Sequence, residues 1–313
     1  MYSYKAVIDI GSNSVRLVIY QQKNEYEFNL IYEQKAKVRI GEGAYLERGH
    51  LQTTPMQRAY QALQEFTTVI KNYPNIQTTC IATSALRDAP NKSDFTDKIE
   101  KKLDLKINII DGKEEAKLGA IAALYLLPIA NGITIDIGGG SSDLALIKNS
   151  KIVETYSLNL GTVRIKELFS DTKSSKKEVK EYIDKALNQL PTIFKNSTAI
   201  GIGGTARTLS KSIMYFQGTK ASSTHNFKYA IESYLPYFEK ILESDDELLL
   251  TLKISKSRID TIREGTLIWQ SILERVEAEE VVSSAVGIRE GVFLENLNIT
   301  AQNCAIKFRK ALD

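Results

Sequence analysis

Histidine and cysteine are nearly missing from this chain, which holds two of each in 313 residues. His50 and His225 are too few for a histidine-rich metal site. Cys80 and Cys304 stand in unrelated segments without CxxC or metal-type spacing, so they read as buried thiols of a reducing compartment. Neither sign of charge predominates: 41 basic and 38 acidic residues leave a net charge of +3. A dedicated nucleic-acid binder carries a stronger basic bias, so nucleic acid is not an expected partner and any polyanion must meet a local patch. Long hydrophobic runs are lacking as well. The longest uncharged segment, residues 118–135, is interrupted by Pro128, Asn131 and Gly132, which argues against a membrane span and a membrane partner. Lys5 and Asp9 lie in the first apolar stretch, so no cleavable leader is expected and the expected compartment is cytoplasmic. What is present is the 43% hydrophobic, 25% charged balance of a globular protein. The length suits two domains of about 150 residues each.

A repeat organises the chain. A shift of 127 places (136 − 9) brings Ile8, Asp9, Ile10, Gly11, Ser14 and Leu17 onto Ile135, Asp136, Ile137, Gly138, Ser141 and Leu144. Each copy is an apolar run ending in Asp, a Gly/Ser/Asn turn and a second apolar run, the pattern of a β-hairpin whose tight loop exposes backbone N–H groups. Such loops cradle phosphate, and two of them from two halves imply a cleft that clamps a phosphate-bearing ligand.

Strands are expected at residues 5–10, 14–20 and 25–38, then a helix carrying Met56, Tyr60, Leu63, Phe66 and Ile70, and a strand at 79–82. A helix with Phe95, Ile99 and Leu103, a strand at 107–110 and a helix over 114–127 ended by Pro128 complete the first half. The order βββαβαβα restarts at Ile133, with strands ending at Asp136, starting at Asp143 and covering 152–158, a helical region over 162–194 and a strand at 199–202. Residues 171–177 read as a polar loop or solvated helix start. Helices over 204–214, 227–242, 258–275 and 286–297 follow, with a short strand at Val281-Val282. Two domains are expected, residues 1–127 and 128–313, hinged near 127–131 with a cleft between them.

A duplicated βββαβαβα unit with Asp closing each first strand is the ribonuclease H-like pair on which actin and the sugar kinases are built. Six blocks narrow this: Ile8-Asp9-Ile10-Gly11-Ser12-Asn13-Ser14, Ala82-Thr83-Ser84-Ala85-Leu86-Arg87-Asp88-Ala89, Gly112-Lys113-Glu114-Glu115-Ala116, Ile135-Asp136-Ile137-Gly138-Gly139-Gly140-Ser141, Gly201-Ile202-Gly203-Gly204-Thr205 and Gly287-Ile288-Arg289-Glu290-Gly291. Together they resemble the exopolyphosphatase / guanosine pentaphosphate phosphohydrolase family over residues 5–295. The resemblance implies an α/β fold of two duplicated ribonuclease H-like domains and hydrolysis of a terminal phosphoanhydride. It implies inorganic polyphosphate or guanosine pentaphosphate as substrate and, by analogy, a homodimer. In related folds the final segment, here residues 301–313, returns to the first domain.

Such a reaction needs an aimed water, a base for its proton, and donors or positive charge around the phosphoryl oxygens. Gly11, Ser12, Asn13 and Ser14 in one half, and Gly138, Gly139, Gly140 and Ser141 in the other, offer consecutive backbone donors, to which side chains of Asn13, Ser14 and Ser141 add. Turn-making alone is the competing explanation for glycines of this kind. Gly203, Gly204 and Thr205 form a third turn at a strand-to-helix junction, where a helix N-terminus favours an anion.

The resemblance makes Glu115 the catalytic base and links metal to Asp136 and Asp143. Mg2+ suits such a site, because it takes oxygen ligands, keeps several waters and bridges carboxylate to phosphate. Ser141-Ser142-Asp143 stands where the family more commonly has Ser-Thr-Glu, and the shorter aspartate leaves its metal reach open. Asp9, at the equivalent strand end, is either a further metal-linked acid or a cap of its own turn. Apart from the resemblance, Glu114 and Glu115 are acids that favour a helix dipole. Arg87 is placed for a catalytic, forked grip on phosphate oxygens, or else for a surface ion pair with Asp88. Arg164, Arg207, Lys211 and Arg289 form either a basic track or solvated helix charges, and His225 reads as an exposed loop residue.

Exopolyphosphatase activity is the leading expectation, with guanosine pentaphosphate hydrolysis beside it. The C-terminal domains of longer family members are not expected here, and with them absent a preference for shorter polyphosphate chains is expected. An ATP-dependent kinase of the same superfold, or a phosphate or nucleotide sensor without catalysis, would use the same loops differently.

Overall fold

The computed structural model describes residues 3–24, 27–46, 49–170, 174–219, 223–295 and 307–310. β1 (Ser3–Ile10) and β2 (Val15–Gln22) pair antiparallel from Ser3↔Gln22 to Ile10↔Val15. Ala6, Ile8 and Ile10 of β1 face one apolar cluster while Val7 faces another, so this strand is covered on both sides and reads as a nearly continuous apolar run. β3 (Glu27–Ala36) extends the meander, and α1 (Thr53–Ile70) follows, burying Ala59, Ala62, Leu63, Phe66 and Ile70 at helical spacing. β4 (Gln77–Ala82), α2 (Ser84–Asp88), α3 (Lys92–Leu103), β5 (Ile107–Ile109) and α4 (Gly112–Leu126) complete the first half.

The second half repeats the plan with β6 (Gly132–Ile137), β7 (Ser142–Lys148), β8 (Lys151–Leu158), α5 (Thr162–Ile165), α6 (Lys176–Leu187), β9 (Thr198–Ile202) and α7 (Gly203–Phe216). β10 (Lys228–Ala230), α8 (Leu235–Glu243), α9 (Asp246–Thr251), α10 (Ile262–Arg275), β11 (Glu280–Ser283), α11 (Ile288–Glu295) and β12 (Lys307–Lys310) follow. The sheets run β12-β3-β2-β1-β4-β5 and β10-β11-β9-β6-β7-β8. Reversing the second superimposes its β8-β7-β6-β9-β11 on β3-β2-β1-β4-β5, so the duplicated α/β architecture expected from the repeat is present. β12 lies parallel to β3, which brings the end of the chain back to the first sheet; Cys304 lies outside the described residues.

α4 occupies the layer between the sheets. Ala116, Ala120 and Ala123 pack toward β6, β7 and β9, while Leu118 joins Ile288, Val292 and Phe293 of α11 against β1 and β2. Small residues permit this crowding: a side-chain carbon at Gly291 would run into the backbone carbonyl of Leu118. Its first turn is capped by Asp111, whose Oδ1 accepts the Glu114 N–H at 2.8 Å.

Several expected elements differ. The helix expected over 227–242 is instead β10, a short 3-10 turn and α8, because Pro236 sits at the start of α8 and cannot occupy a helix interior. Within residues 162–194, α5 passes into a single π turn, Lys166–Ser170, and α6 restarts on a capping box of Ser175 and Glu178. Residues 171–173 of the expected polar stretch lie outside the described residues. α10 begins at Ile262 rather than Arg258, which leaves Arg258 in an irregular segment. α2 and α9 are short helices that apolar spacing did not reveal. Among the described residues, no helix is long and apolar enough to cross a membrane.

Candidate active site

The two repeated hairpins meet. Gly11 N–H donates to Ser14 O at 3.1 Å in one turn, and Gly138 N–H donates to Ser141 O at 2.9 Å in the other. A side-chain carbon at Gly139 would come within 2.7 Å of Ser12 Cβ, so the loops touch across the cleft. They line one cavity of about 120 Å³ with Asp9, Arg16, Ser84, Glu115, Asp136, Gly203, Gly204, Arg207, Arg258 and Arg289. Parallel pairing of β1 with β4 and of β6 with β9 places Asp9 and Asp136 at the same level of the two sheets, both facing this space.

Glu115 reaches the cavity from the first turn of α4. Its Oε2 accepts from Arg87 Nη1 at 3.1 Å, and Arg87 Nη1 also donates to Ile110 O at 3.2 Å. The Glu115 side chain is 16% exposed. Burial raises its pKa well above the usual carboxylate range; the charges of Asp143 and Asp136 push the same way, and Arg87 opposes them. Asp136 is also raised, by burial first, with Arg207 opposing. Its Oδ1 lies against Gly203, whose φ of +76° and lack of side-chain space both call for glycine.

Asp143 stands behind the cavity rather than in its wall. Ser141 Oγ donates to Oδ2 at 2.9 Å and Ser157 Oγ donates to Oδ1, so both carboxylate oxygens are engaged. Burial nonetheless raises its pKa, against the two serine hydrogen bonds. Gly140, Ser141 and Thr205 are buried supports of the site, and Arg87 acts on it through Glu115. The surface pair between Arg87 and Asp88 is the looser contact, at 3.8 Å. Gly11, Ser12, Asn13, Ser14, Gly138, Gly139, Gly203 and Gly204 all border the cavity, as do Asp9, Glu115 and Asp136.

The same cavity carries a cationic cluster of Arg16, Arg207, Arg258 and Arg289 beside the acids. Arg207 and Arg289 belong to it and are not solvated helix charges. Arg16 is lowered to about 10 by burial and by the neighbouring Arg289 and Arg207. Burial likewise lowers Arg207 and Arg258. Arg289 is the exception: burial works against its charge, but Glu290 and Asp9 outweigh it, and its Nη1 donates to Asp9 Oδ2 at 3.3 Å. A second groove of about 230 Å³ shares Arg16, Arg207 and Arg258 and continues past Lys35, Lys211 and Lys253. Lys35 is lowered to about 8 by burial and by surrounding cations.

Arg16 and Arg258 were missed by sequence reasoning. The repeat held a signal for Arg16, since position 16 + 127 is Asp143, and both hairpin registers confirm the equivalence: Asp9↔Arg16 and Asp136↔Asp143. Nothing local marks Arg258. His225 is half-buried rather than an exposed loop residue; its Nε2 lies 2.8 Å from Leu126 O and its Nδ1 accepts the Ala285 N–H at 3.4 Å.

Comparison with known proteins agrees with this geometry. A bifunctional 3-dehydroquinate synthase/phosphatase of Fusobacterium nucleatum is 28% identical over 314 residues, covering 94% of this chain and 46% of the relative. A guanosine-5'-triphosphate,3'-diphosphate pyrophosphatase of Pseudoalteromonas atlantica is 26% identical over 306 residues, covering 95% of this chain and 59% of the relative. The chain thus spans about half the length of these curated relatives. The crystal structure of the Aquifex aeolicus member of the Ppx/GppA protein family superimposes with a TM-score of 0.78 at 27% identity, covering 96% of this chain and all of the other. The family model for the Ppx/GppA phosphatases matches residues 18–299, and the chain belongs to the Ppx/GppA phosphatase family.

Proposed function

We propose that the protein is a phosphoanhydride hydrolase that removes terminal orthophosphate from inorganic polyphosphate. The observation that carries this reading is one cavity lined together by partly buried carboxylates, Glu115 among them, by partly buried guanidinium groups and by two glycine loops. Arg16 is partly desolvated and is repelled by the neighbouring Arg289 and Arg207. A polyanion relieves the cationic side, and a water aimed at its last phosphorus gives Glu115 a proton to take.

In the proposed reaction, water oxygen forms a bond to the terminal phosphorus as the bridging P–O bond breaks. The bridging electron pair leaves with the shortened chain, and the water proton passes to Glu115. Backbone N–H groups of residues 12–14 and of Gly139 receive the non-bridging oxygens, and Ser12 and Ser84 add hydroxyl donors. The raised proton affinity strengthens ionised Glu115 as a proton acceptor.

Among the described residues, no three acidic, histidine or cysteine side chains cluster as a protein-only metal cage. Mg2+ needs none, because it keeps waters and uses one or two carboxylates with substrate oxygens. Asp136 fits such an ion: it borders the cavity, and burial and the charge of Asp9 raise its pKa against the opposing Arg207. Asp9 stands nearby but is shared with Arg289, and Asp143 is occupied by two serines. Mg2+ held at Asp136 would neutralise phosphate charge.

Guanosine pentaphosphate is the second reading, favoured by the named activity of the Pseudoalteromonas relative. One assay separates the readings: phosphate release from tripolyphosphate, long polyphosphate, guanosine pentaphosphate and ATP, with and without Mg2+. Polyphosphate hydrolysis without an added acceptor is expected. Binding of these compounds without any phosphate release would refute the hydrolase in favour of a sensor.

A further inference from the structure

Tyr45 lies in the irregular segment between β3 and α1, outside every motif of the sequence, yet both phosphate loops converge on it. Its hydroxyl is 2.8 Å from Ser12 Oγ, and Ser12 Oγ is 3.0 Å from Ser84 Oγ. Both serines line the cavity. From the second half, Gly140 presses so closely on the Tyr45 hydroxyl and Ser84 Oγ that no side chain could stand there. The Arg164 guanidinium covers the Tyr45 ring at 4.4 Å, an arrangement that attracts a cation to the ring face.

Arg164 binds the first half in a second way. Its Nη2 pairs with Asp88 Oδ2 at 2.7 Å, while its Nε holds Gly140 O of its own half at 2.8 Å. Asp88 ends α2, the helix that also carries Ser84 and Arg87, and Arg87 holds Glu115. Glu167, one turn after Arg164, accepts the Gly43 N–H at 2.7 Å. The contacts of Arg164 with Tyr45 and Asp88 and of Glu167 with Gly43 would break if the two halves swung apart, because one partner in each belongs to either half. Within the first half, the Tyr45 hydroxyl and Ser12 would then lose the surface that fixes them.

We infer that Tyr45 and Arg164 form a clasp that ties domain closure to the alignment of the Ser12 and Ser84 hydroxyls and of the Arg87–Glu115 pair, with Tyr45 a positioning residue rather than a catalytic one. The inference rests on the hydrolase reading. Burial also keeps the Tyr45 phenol protonated, its pKa being raised, so a hydroxyl hydrogen is available to Ser12.

Tyr45→Phe keeps the ring beneath Arg164 and removes only the hydroxyl. For tripolyphosphate its kcat is expected to fall about tenfold with KM within about twofold of wild type, since the lost contact aligns groups for the transition state. Its thermal midpoint stays at the wild-type value. Arg164→Lys keeps the charge but loses the fork, and raises KM about tenfold by favouring the open cleft. Solution scattering on tripolyphosphate-bound Glu115→Gln protein, with and without Arg164→Lys, reads closure directly; the double variant is expected to stay expanded. Unchanged kcat in Tyr45→Phe, a loss matched by loss of folded protein, or full compaction of the double variant would overturn the clasp. Should wild type cleave no phosphoanhydride, the hydrolase reading alone falls, and the scattering comparison still decides the clasp.

Discussion

Replacing Glu115 by Gln is expected to abolish activity and stabilise the fold at once. Loss of a general base costs about 100- to 10,000-fold in rate, roughly 3 to 5 kcal/mol of barrier. The stability effect has the opposite sign. Burial and the charges of Asp143 and Asp136 hold the Glu115 proton well above its ordinary value of 4.5, more strongly than Arg87 releases it. Below that ordinary value the carboxyl is neutral in folded and unfolded chains alike. Above it the unfolded chain ionises first, so stability falls as pH rises, until the folded group also ionises. Gln stays neutral throughout. The advantage of Glu115→Gln over wild type should therefore grow from about pH 4.5 upward and level off near the raised value. Each tenfold change in proton affinity is worth about 1.4 kcal/mol, which is about 3–6 °C in Tm for a domain of 150–250 residues. Thermal unfolding of both proteins from pH 4 to 9 in a chelating buffer, beside phosphate-release assays, checks both halves. A variant that is less stable at pH 8, or whose advantage ignores pH, would refute the electrostatic reasoning; retained turnover would refute the base.

Asp136→Asn should raise the Mg2+ concentration for half-maximal activity about tenfold or more, since one carboxylate is the main protein ligand proposed; an unchanged magnesium titration would count against that residue. Gly203→Ala should lower stability by about 1–2 kcal/mol in urea unfolding, because φ is +76° and the new methyl meets Asp136. KM for polyphosphate should rise with salt between about 0.05 and 0.5 M while kcat changes little, because Arg16, Lys35 and Arg258 attract the chain through partly screened charge. A salt-independent KM would mean that those cations do not meet the substrate.

Much of the site was legible because its parts are local. An apolar run ending in Asp and followed by Gly and Ser can be read as strand and loop without tertiary knowledge, and it occurs twice. Glu115 was legible through its motif and helix position. Arg258 was not, because an irregular segment carries it to the cleft from more than 240 positions beyond Asp9 (258 − 9 = 249). Tyr45 escaped for the same reason: no periodicity governs a residue outside helix and strand. Apolar spacing alone predicts the helix over 227–242, but Pro236 fits only the first turn of a helix and so sets the start of α8. Asp143 shows the limit of motif transfer, because only the structure reveals that Ser157, from the neighbouring β8, takes up one of its oxygens.

Duplication by itself would have given a clamp with two equal jaws, able to hold a linear polyanion in either direction. One position breaks that symmetry. Where the second hairpin sets Asp143 opposite Asp136, the first sets Arg16 opposite Asp9. Asp143 adds negative charge beside Glu115, raising its proton affinity, whereas Arg16 adds positive charge beside Arg289, Arg207 and Arg258. The cavity therefore has a direction. For the proposed substrate, the phosphates still linked to the chain run toward the guanidinium side and its continuing groove, and the last phosphorus faces Glu115. In that reading the repeated backbone loops grip, and the divergent pair of Asp143 and Arg16 sets where the last phosphorus lies.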